Sequence, residues 1–474
     1  MKKNPITDAD FLLDTAAARE LYHQYAARMP IVDYHNHLNP ALIANNHRFE
    51  SIAQLWLAGD HYKWRALRTL GVSEKYLSGE ASDYEKFQIW CKNLPFLIGN
   101  PLYHWSHIEL ARYFDLHMPI SEKTANEIYR IVSEKLQTEH YTTHGIFSRF
   151  NLRVCCTTDD PTDSLEYHAQ TQQKRLPFLL LPSFRPDNAL IYKNHQSFRQ
   201  YMERLATAAA SNIQNLDDVK SALAKRIDYF DAMGCRTADH GLLYLPTAPE
   251  ETQLNSAEKI FQKMMSGKPV SQQEKDAYLY DLLLFLCEQY AQKGWVQQFH
   301  LGAKRNNNER AFQQLGADTG YDSIGAYAQV NALNDFLNTL DKKDALAKTI
   351  IYNLNPKESA AFAATCGNFH REGIKGFVQW GAPWWFLDQK HHIEEYFNIL
   401  AHIGVMSVSI GMLTDSRSFM SLPRHEYYRR LLCRTLGRWI EEGLVANDMD
   451  TNGEIVCNIC YYNVCRFFNF PVQP

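Results

Sequence analysis

The chain has 474 residues, 45% hydrophobic and 22% charged, the balance of a globular protein with one large core or two ordinary ones. Its 49 Lys and Arg against 53 Asp and Glu leave a formal charge of −4, without the basic footprint of a nucleic-acid binder. The clearest apolar run, Leu282 to Cys287, is far too short to span a bilayer, so no membrane partner is expected.

The amino-terminal stretch Met1 to Asp8 has no apolar h-region, so no secretory signal is read there. The ten cysteines are scattered, and Cys155, Cys156 and Cys235 sit in strand-like runs. They read as buried thiols of a cytoplasmic protein rather than a disulfide framework. The one Cys-x-x-Cys, Cys457 to Cys460, has no second pair, and no zinc or redox role is assigned to it.

The first predicted element is the apolar run from Met29 to Tyr34, a buried β-strand that leads into His35 and His37. Strand side chains alternate, so His35 and His37 are expected to converge while Tyr34 and Asn36 face away. Two converging imidazoles suit a divalent metal. The alternative is a pair of core or loop histidines.

Seven further short strands follow. The eight candidates are Ile31–His35, 153–158, 178–183, 234–239, 297–301, 349–354, 376–380 and 407–412. Helical patterns such as 256–265, 272–293 and 388–402 fill the gaps between most of them. Strands alternating with helices predict a parallel α/β fold, and eight of them predict a (β/α)8 barrel. The gap between the first two strands exceeds what a plain βα unit needs. Its helical patterns (49–58, 104–113 and 121–136) and its aromatics are read as a helical insertion, residues 39–150, within one domain of 1–474.

In a barrel, side chains at the carboxyl ends of strands face the active site. There the sequence places His35 and His37, then Arg185 and Asp187, then Asp239 and His240, then His300. Trp384 and Trp385 follow strand seven, and Asp415 and Arg417 follow strand eight. Asp415 offers an anionic third ligand beside the histidines, since strands eight and one are neighbours in a closed barrel. Its alternative is a helix N-cap. Two histidines and a carboxylate leave a metal position open for substrate. Arg185 and Arg417 are candidates for holding an anionic substrate; the alternative for each, and the commoner role of a lone Arg, is a surface or structural ion pair. Asp239 is read as a second base, an orienter of a metal ligand or a buried hydrogen-bonded group. His300 is a ligand, a substrate contact or a core histidine. His61 and Tyr62 mix a donor and an aromatic in one loop.

Taken together and in order, several segments resemble the uronate isomerase family, the glucuronate/galacturonate isomerases, a divergent branch of the amidohydrolase superfamily. They are Asp33-Tyr34-His35-Asn36-His37-Leu38, the run from Gly59 to Arg65, Gly99 to Trp105, Thr157 to Pro161, Phe184-Arg185-Pro186-Asp187, Gly294 to Gln298, Arg305-Asn306-Asn307-Asn308 and Leu413 to Phe419. The resemblance implies aldose–ketose isomerisation of D-glucuronate to D-fructuronate and D-galacturonate to D-tagaturonate on a (β/α)8 barrel. It implies one divalent metal, zinc first and manganese or another as alternatives, held by His35, His37 and Asp415. It places the substrate carboxylate at Arg185, with His61 and Tyr62 reaching in, His300 and Trp384 as further contacts, and Arg417 beside the reacting carbons. The chemistry then asks for ring opening assisted by His37 or the metal site, and for a base that carries a proton through a cis-enediol. Asp415 is the first candidate for that base, Tyr62 the second, with Asp239 as a further catalytic candidate. A homo-oligomer is expected. The rival readings are a metal-dependent hydrolase, to which His240 and His300 would lend further ligands, and a non-catalytic sugar-binding protein.

Overall fold

The computed structural model describes residues 5–250 and 256–472, so the first four residues of the amino-terminal stretch lie outside it. Seven parallel strands form one curled sheet: β1 (Ile31–Asp33), β2 (Leu152–Asp159), β3 (Leu179–Phe184), β4 (Thr237–Leu242), β5 (Val296–Leu301), β8 (Lys348–Asn353) and β9 (Val378–Trp380). They are neighbours in chain order, and each has its expected counterpart with ends shifted by at most three residues. A two-stranded hairpin, β6 (Ala303–Lys304) and β7 (Ser323–Ile324), rises from the end of β5 and was not predicted. Its strands are only two residues long and carry no alternating pattern.

The expected eighth strand at 407–412 does not form. Met406–Val408 is a 3-10 turn, and Gly411 has φ +74°, which ends any extended run. A side chain at Gly411 would also press on the Ile459 carbonyl, 2.6 Å from its Cβ. The segment nevertheless stands between β9 and β1. Gln379 Nε2 donates to Val408 O at 3.0 Å, Tyr34 Oη to Gly411 O at 3.4 Å, and Thr414 N to Asp33 Oδ1 at 2.8 Å.

The helices follow local rules. Gln272–Lys293 starts with a capping box, in which Ser271 and Glu274 satisfy each other's backbone N–H, and stops at left-handed Gly294. Two apolar layers hold the sheet. One lies between strands and helices and includes Ile31, Cys155, Leu180, Phe184 and Phe299. The other lies on the opposite face and includes Val32, Val154, Cys156, Leu181, Val296, Ile350 and Tyr352, covered by Phe468 and Phe470. Tyr34 belongs to this second layer, on the same face as Val32 two residues before it.

Between β1 and β2 the chain is helical, from Pro40–Ala44 to Thr143–Arg149. The ten cysteines carry free thiols, and Cys457 ends a helix, Met449–Cys457, while Cys460 lies in the π-turn that follows. No helix among the described residues is long and apolar enough to cross a membrane.

Candidate active site

The strand ends surround a cavity of about 830 Å³. His35 and His37 enter it from an irregular segment pinned on both sides. Asn36 N donates to Cys156 O at 3.0 Å and His37 N to Ser416 O at 2.9 Å. Asn36 itself turns away, its amide on Asp33 Oδ2 at 3.0 Å. His35 Nε2 and His37 Nε2 both meet Asp415 Oδ1 at 3.1 Å, so convergence is achieved without a regular strand.

Asp415 has φ +48°, a left-handed backbone that costs free energy in a non-glycine residue and recurs at functional sites. Its backbone N–H donates to His35 O at 3.2 Å, and its second oxygen accepts from Trp384 Nε1 at 2.8 Å. It caps no helix, since the next one begins at Pro423. Trp384 comes from the loop after β9, where Trp385 is also left-handed, with φ +54°.

These donors fit a divalent ion. One ligand atom each from His35, His37 and Asp415 lies within 4.8 Å of the others, and all three residues line the cavity. The set is two neutral-capable imidazoles and one carboxylate, with the cavity on the open side. His35, Asp239 and His300 form a second group with the same mutual reach. There, however, Arg185 Nη1 already stands 3.0 Å from Asp239 Oδ2 and supplies the positive charge.

Asp239 is fully buried and does not line the cavity. It accepts from His300 Nδ1 at 2.6 Å and lies 3.8 Å from His35 Nδ1. It is therefore placed to orient two histidines and Arg185 rather than to touch substrate. His300 reaches the cavity and stacks on Tyr352 at 4.2 Å. His240 points the other way, into the helical layer, stacked at 5.4 Å on Phe299. It lends no ligand to the site.

Arg185 also donates from Nε to Asp187 Oδ2 at 2.9 Å. Against the cost of burial, Asp239 and Asp187 hold its guanidinium firmly charged, above the ordinary arginine range. Nη2 lies against Gly241, where any Cβ would collide with it. Arg417 reaches into the cavity with Nη2 on Asp318 Oδ2 at 2.9 Å.

His61 and Tyr62 open the helix His61–Thr69, capped by Asp60, whose Oδ1 accepts from Lys63 N at 3.1 Å. Both line the cavity, and the His61 ring lies 5.4 Å from that of Trp385. The cavity thus gathers His35, His37, His61, Tyr62, Arg185, His300, Trp384, Asp415 and Arg417, every predicted site residue except Asp239.

Three neighbours were missed as site residues. Asp318 sits on a loop with no periodic pattern; Arg424 begins the last long helix; Asp388 follows β9. A Trp-Trp-Phe run ahead of a polar residue was the only signal for the last of them.

The family described as glucuronate isomerase matches residues 3–468. A uronate isomerase of Flavobacterium johnsoniae is 44% identical over 472 residues, covering 99% of this chain and 100% of that protein. One from Geobacillus thermodenitrificans is 46% identical over 466 residues, covering 98% and 99%. The crystal structure of uronate isomerase from Thermotoga maritima superposes with a TM-score of 0.90 at 31% identity, covering 97% of this chain and 99% of the other. Matched by the family model over residues 3–468 and by these relatives over nearly its whole length, the chain belongs to the uronate isomerase family.

Proposed function

We propose that this protein isomerises hexuronates, D-glucuronate to D-fructuronate and D-galacturonate to D-tagaturonate, by moving a proton from the second carbon to the first through a cis-enediol. The observation that carries this reading is one cavity holding a His–His–Asp triad together with two arginines, Arg185 and Arg417. The frame in this reading is a (β/α)8 barrel with residues 409–416 in the place of the eighth strand. Residues 39–150 are an insertion that lends His61 and Tyr62 to the cavity.

His35, His37 and Asp415 would hold one divalent ion, zinc in this reading. When bound, it supplies Lewis-acid polarisation of substrate oxygen. The chain's own residues do the rest. Arg185, fixed by Asp187 and Asp239, takes the substrate carboxylate through its remaining N–H groups. His37 and Asp415 face the anomeric end, where the ring opens. Tyr62 moves the carbon-bound proton. Asp415 suits that task less, since both its oxygens already accept hydrogen bonds from His35, His37 and Trp384. Arg417 faces the oxygen on which enediolate charge develops.

Hydrolysis by a two-metal centre draws on the second ligand group, but Arg185 occupies that position electrostatically and His240 is turned away.

Replacing Arg185 by Met is expected to raise KM for uronates by tens of times, on the order of a lost charge-assisted bidentate contact, with a smaller change in kcat. Gly241→Ala should do the same in a folded enzyme, because the new Cβ displaces Arg185 and little else. Steady-state kinetics of the two variants test the assignment. An unchanged KM in Arg185→Met removes it.

A further inference from the structure

Among the described residues the Tyr62 hydroxyl has one hydrogen-bond partner, and it lies far away in sequence. Its Oη donates to Asp388 Oδ2 at 3.3 Å. Asp388 is buried, at 4% exposure, just after the 3-10 turn Trp385–Leu387. The loop after β9 therefore delivers Trp384 to Asp415 and Asp388 to Tyr62.

The charged neighbour of Asp388 is Arg424, but its Nη1 stays 3.8 Å from Asp388 Oδ2, beyond hydrogen-bond reach. Arg424 spends that nitrogen on Thr414 O at 2.9 Å, and its Nε has no hydrogen-bond partner among the described residues. The guanidinium lies over the rings of Trp105, at 4.3 Å, and Tyr62, at 5.3 Å. Asp388 is thus a buried carboxyl beside a cation that does not bind it directly, in contact with a tyrosine that faces the cavity. A carboxylate so placed accepts a proton more readily than a solvated one. Burial, with Asp415 adding to it and Arg424 opposing, pushes Asp388 up to about 7.

We propose that Asp388 is the positioning residue of the proton transfer: it aims the Tyr62 hydroxyl and stores the Tyr62 proton while Tyr62 holds that of the substrate. This rests on Tyr62 being the group that moves the carbon-bound proton. In the forward half, the C2–H bond breaks and a Tyr62 O–H bond forms, as the original Tyr62 proton passes to Asp388 Oδ2. The C2–H electron pair becomes the C1–C2 double bond, and the C1 oxygen takes the negative charge facing Arg417. The O2 hydroxyl proton then moves to O1. In the return half, C1 takes the proton from Tyr62, Tyr62 recovers its own from Asp388, and the electrons close the C2 carbonyl. No outside oxidant or base is consumed. Arg424 keeps the stored charge tolerable without capturing the carboxylate.

The test is a double-mutant cycle on the metal-loaded enzyme with Asp388→Asn, Tyr62→Phe and the pair. Asp388→Asn is expected to lower kcat about a hundredfold, the order of a lost acid–base contribution, with KM within about twofold. In the Tyr62→Phe background the same change should cost less than about threefold. Equal losses in both backgrounds would mean that Asp388 serves Arg424 or the fold, and would overturn the inference. Asp388→Glu keeps an ionisable carboxyl and should turn over at least about tenfold faster than Asp388→Asn. Equal turnover of those two folded variants also overturns it. The two levels separate cleanly. If Tyr62→Phe keeps full turnover, Tyr62 is not the proton carrier and the reading beneath falls. If Tyr62→Phe is slow while Asp388→Asn is unaffected, only the role of Asp388 falls.

Discussion

Arg417→Met is expected to lower kcat about a thousandfold while leaving KM within a few-fold, the magnitude seen when a group that stabilises developing charge is removed. The basis is position. Arg417 lies two residues beyond Asp415 on a loop knitted by Ser416 and Ser421, whose hydroxyls meet at 2.6 Å. His37 holds the same loop through Ser416 O. Arg417 lines the same cavity as the triad, with its guanidinium on Asp318, while Arg185, the proposed carboxylate anchor, is tied to Asp187 and Asp239. In the proposed reaction such a cation gains most as the bound aldehyde becomes an enediolate, so its loss would be felt in the transition state and little in the ground state. In the free protein the guanidinium rests on Asp318. Substrate must compete with that carboxylate, so Asp318→Asn should lower KM or raise kcat modestly rather than abolish turnover. Arg417→Lys keeps the charge but not the planar fork and should recover part of the loss. Steady-state kinetics on one uronate decide the matter: a kcat within about tenfold of wild type in Arg417→Met would remove the assignment.

The second large effect is expected from the metal site. Exhaustive chelation should reduce turnover at least about a thousandfold, and one equivalent of a divalent ion per chain should restore it. The number is the discriminating part. Oδ1 of Asp415 meets two imidazole nitrogens at 3.1 Å each, the geometry of one candidate ion position. The neighbouring group of His35, Asp239 and His300 already has the Arg185 guanidinium 3.0 Å from Asp239 Oδ2. Elemental analysis should therefore read about one ion per chain in wild type and close to none in His37→Ala. Two firmly bound ions per chain would favour the hydrolase reading. The His37→Ala readout does not depend on activity, so it also separates a lost ion from a lost base.

Much of this site was legible because its signals are short-range. His35 and His37 are two apart, Arg185 and Asp187 two apart, Asp415 and Arg417 two apart, and each pair follows an apolar run that does form a strand or stand in line with one. The alternation of such runs with helical periods sufficed to order seven strands. It failed where backbone conformation overrode hydropathy. The segment 407–412 has the composition of a strand, but Gly411 adopts φ +74° against the Ile459 carbonyl. The illegible partners are those joined only by the fold. Tyr62 and Asp388 lie 326 residues apart, Arg417 and Asp318 lie 99 apart, and nothing local in either segment announces the other. His240 is the converse case: adjacent to Asp239 in sequence, it points out of the site because it is on the other face of β4.

The most direct test of the account is a coupled assay on the purified, metal-loaded protein. D-glucuronate and D-galacturonate are supplied separately, and the ketouronate is read with an NADH-dependent reductase. The account predicts turnover of at least one of the two acids and none of glucose, which lacks the carboxylate that Arg185 is proposed to hold. A folded, metal-loaded sample that turns over neither acid would contradict it.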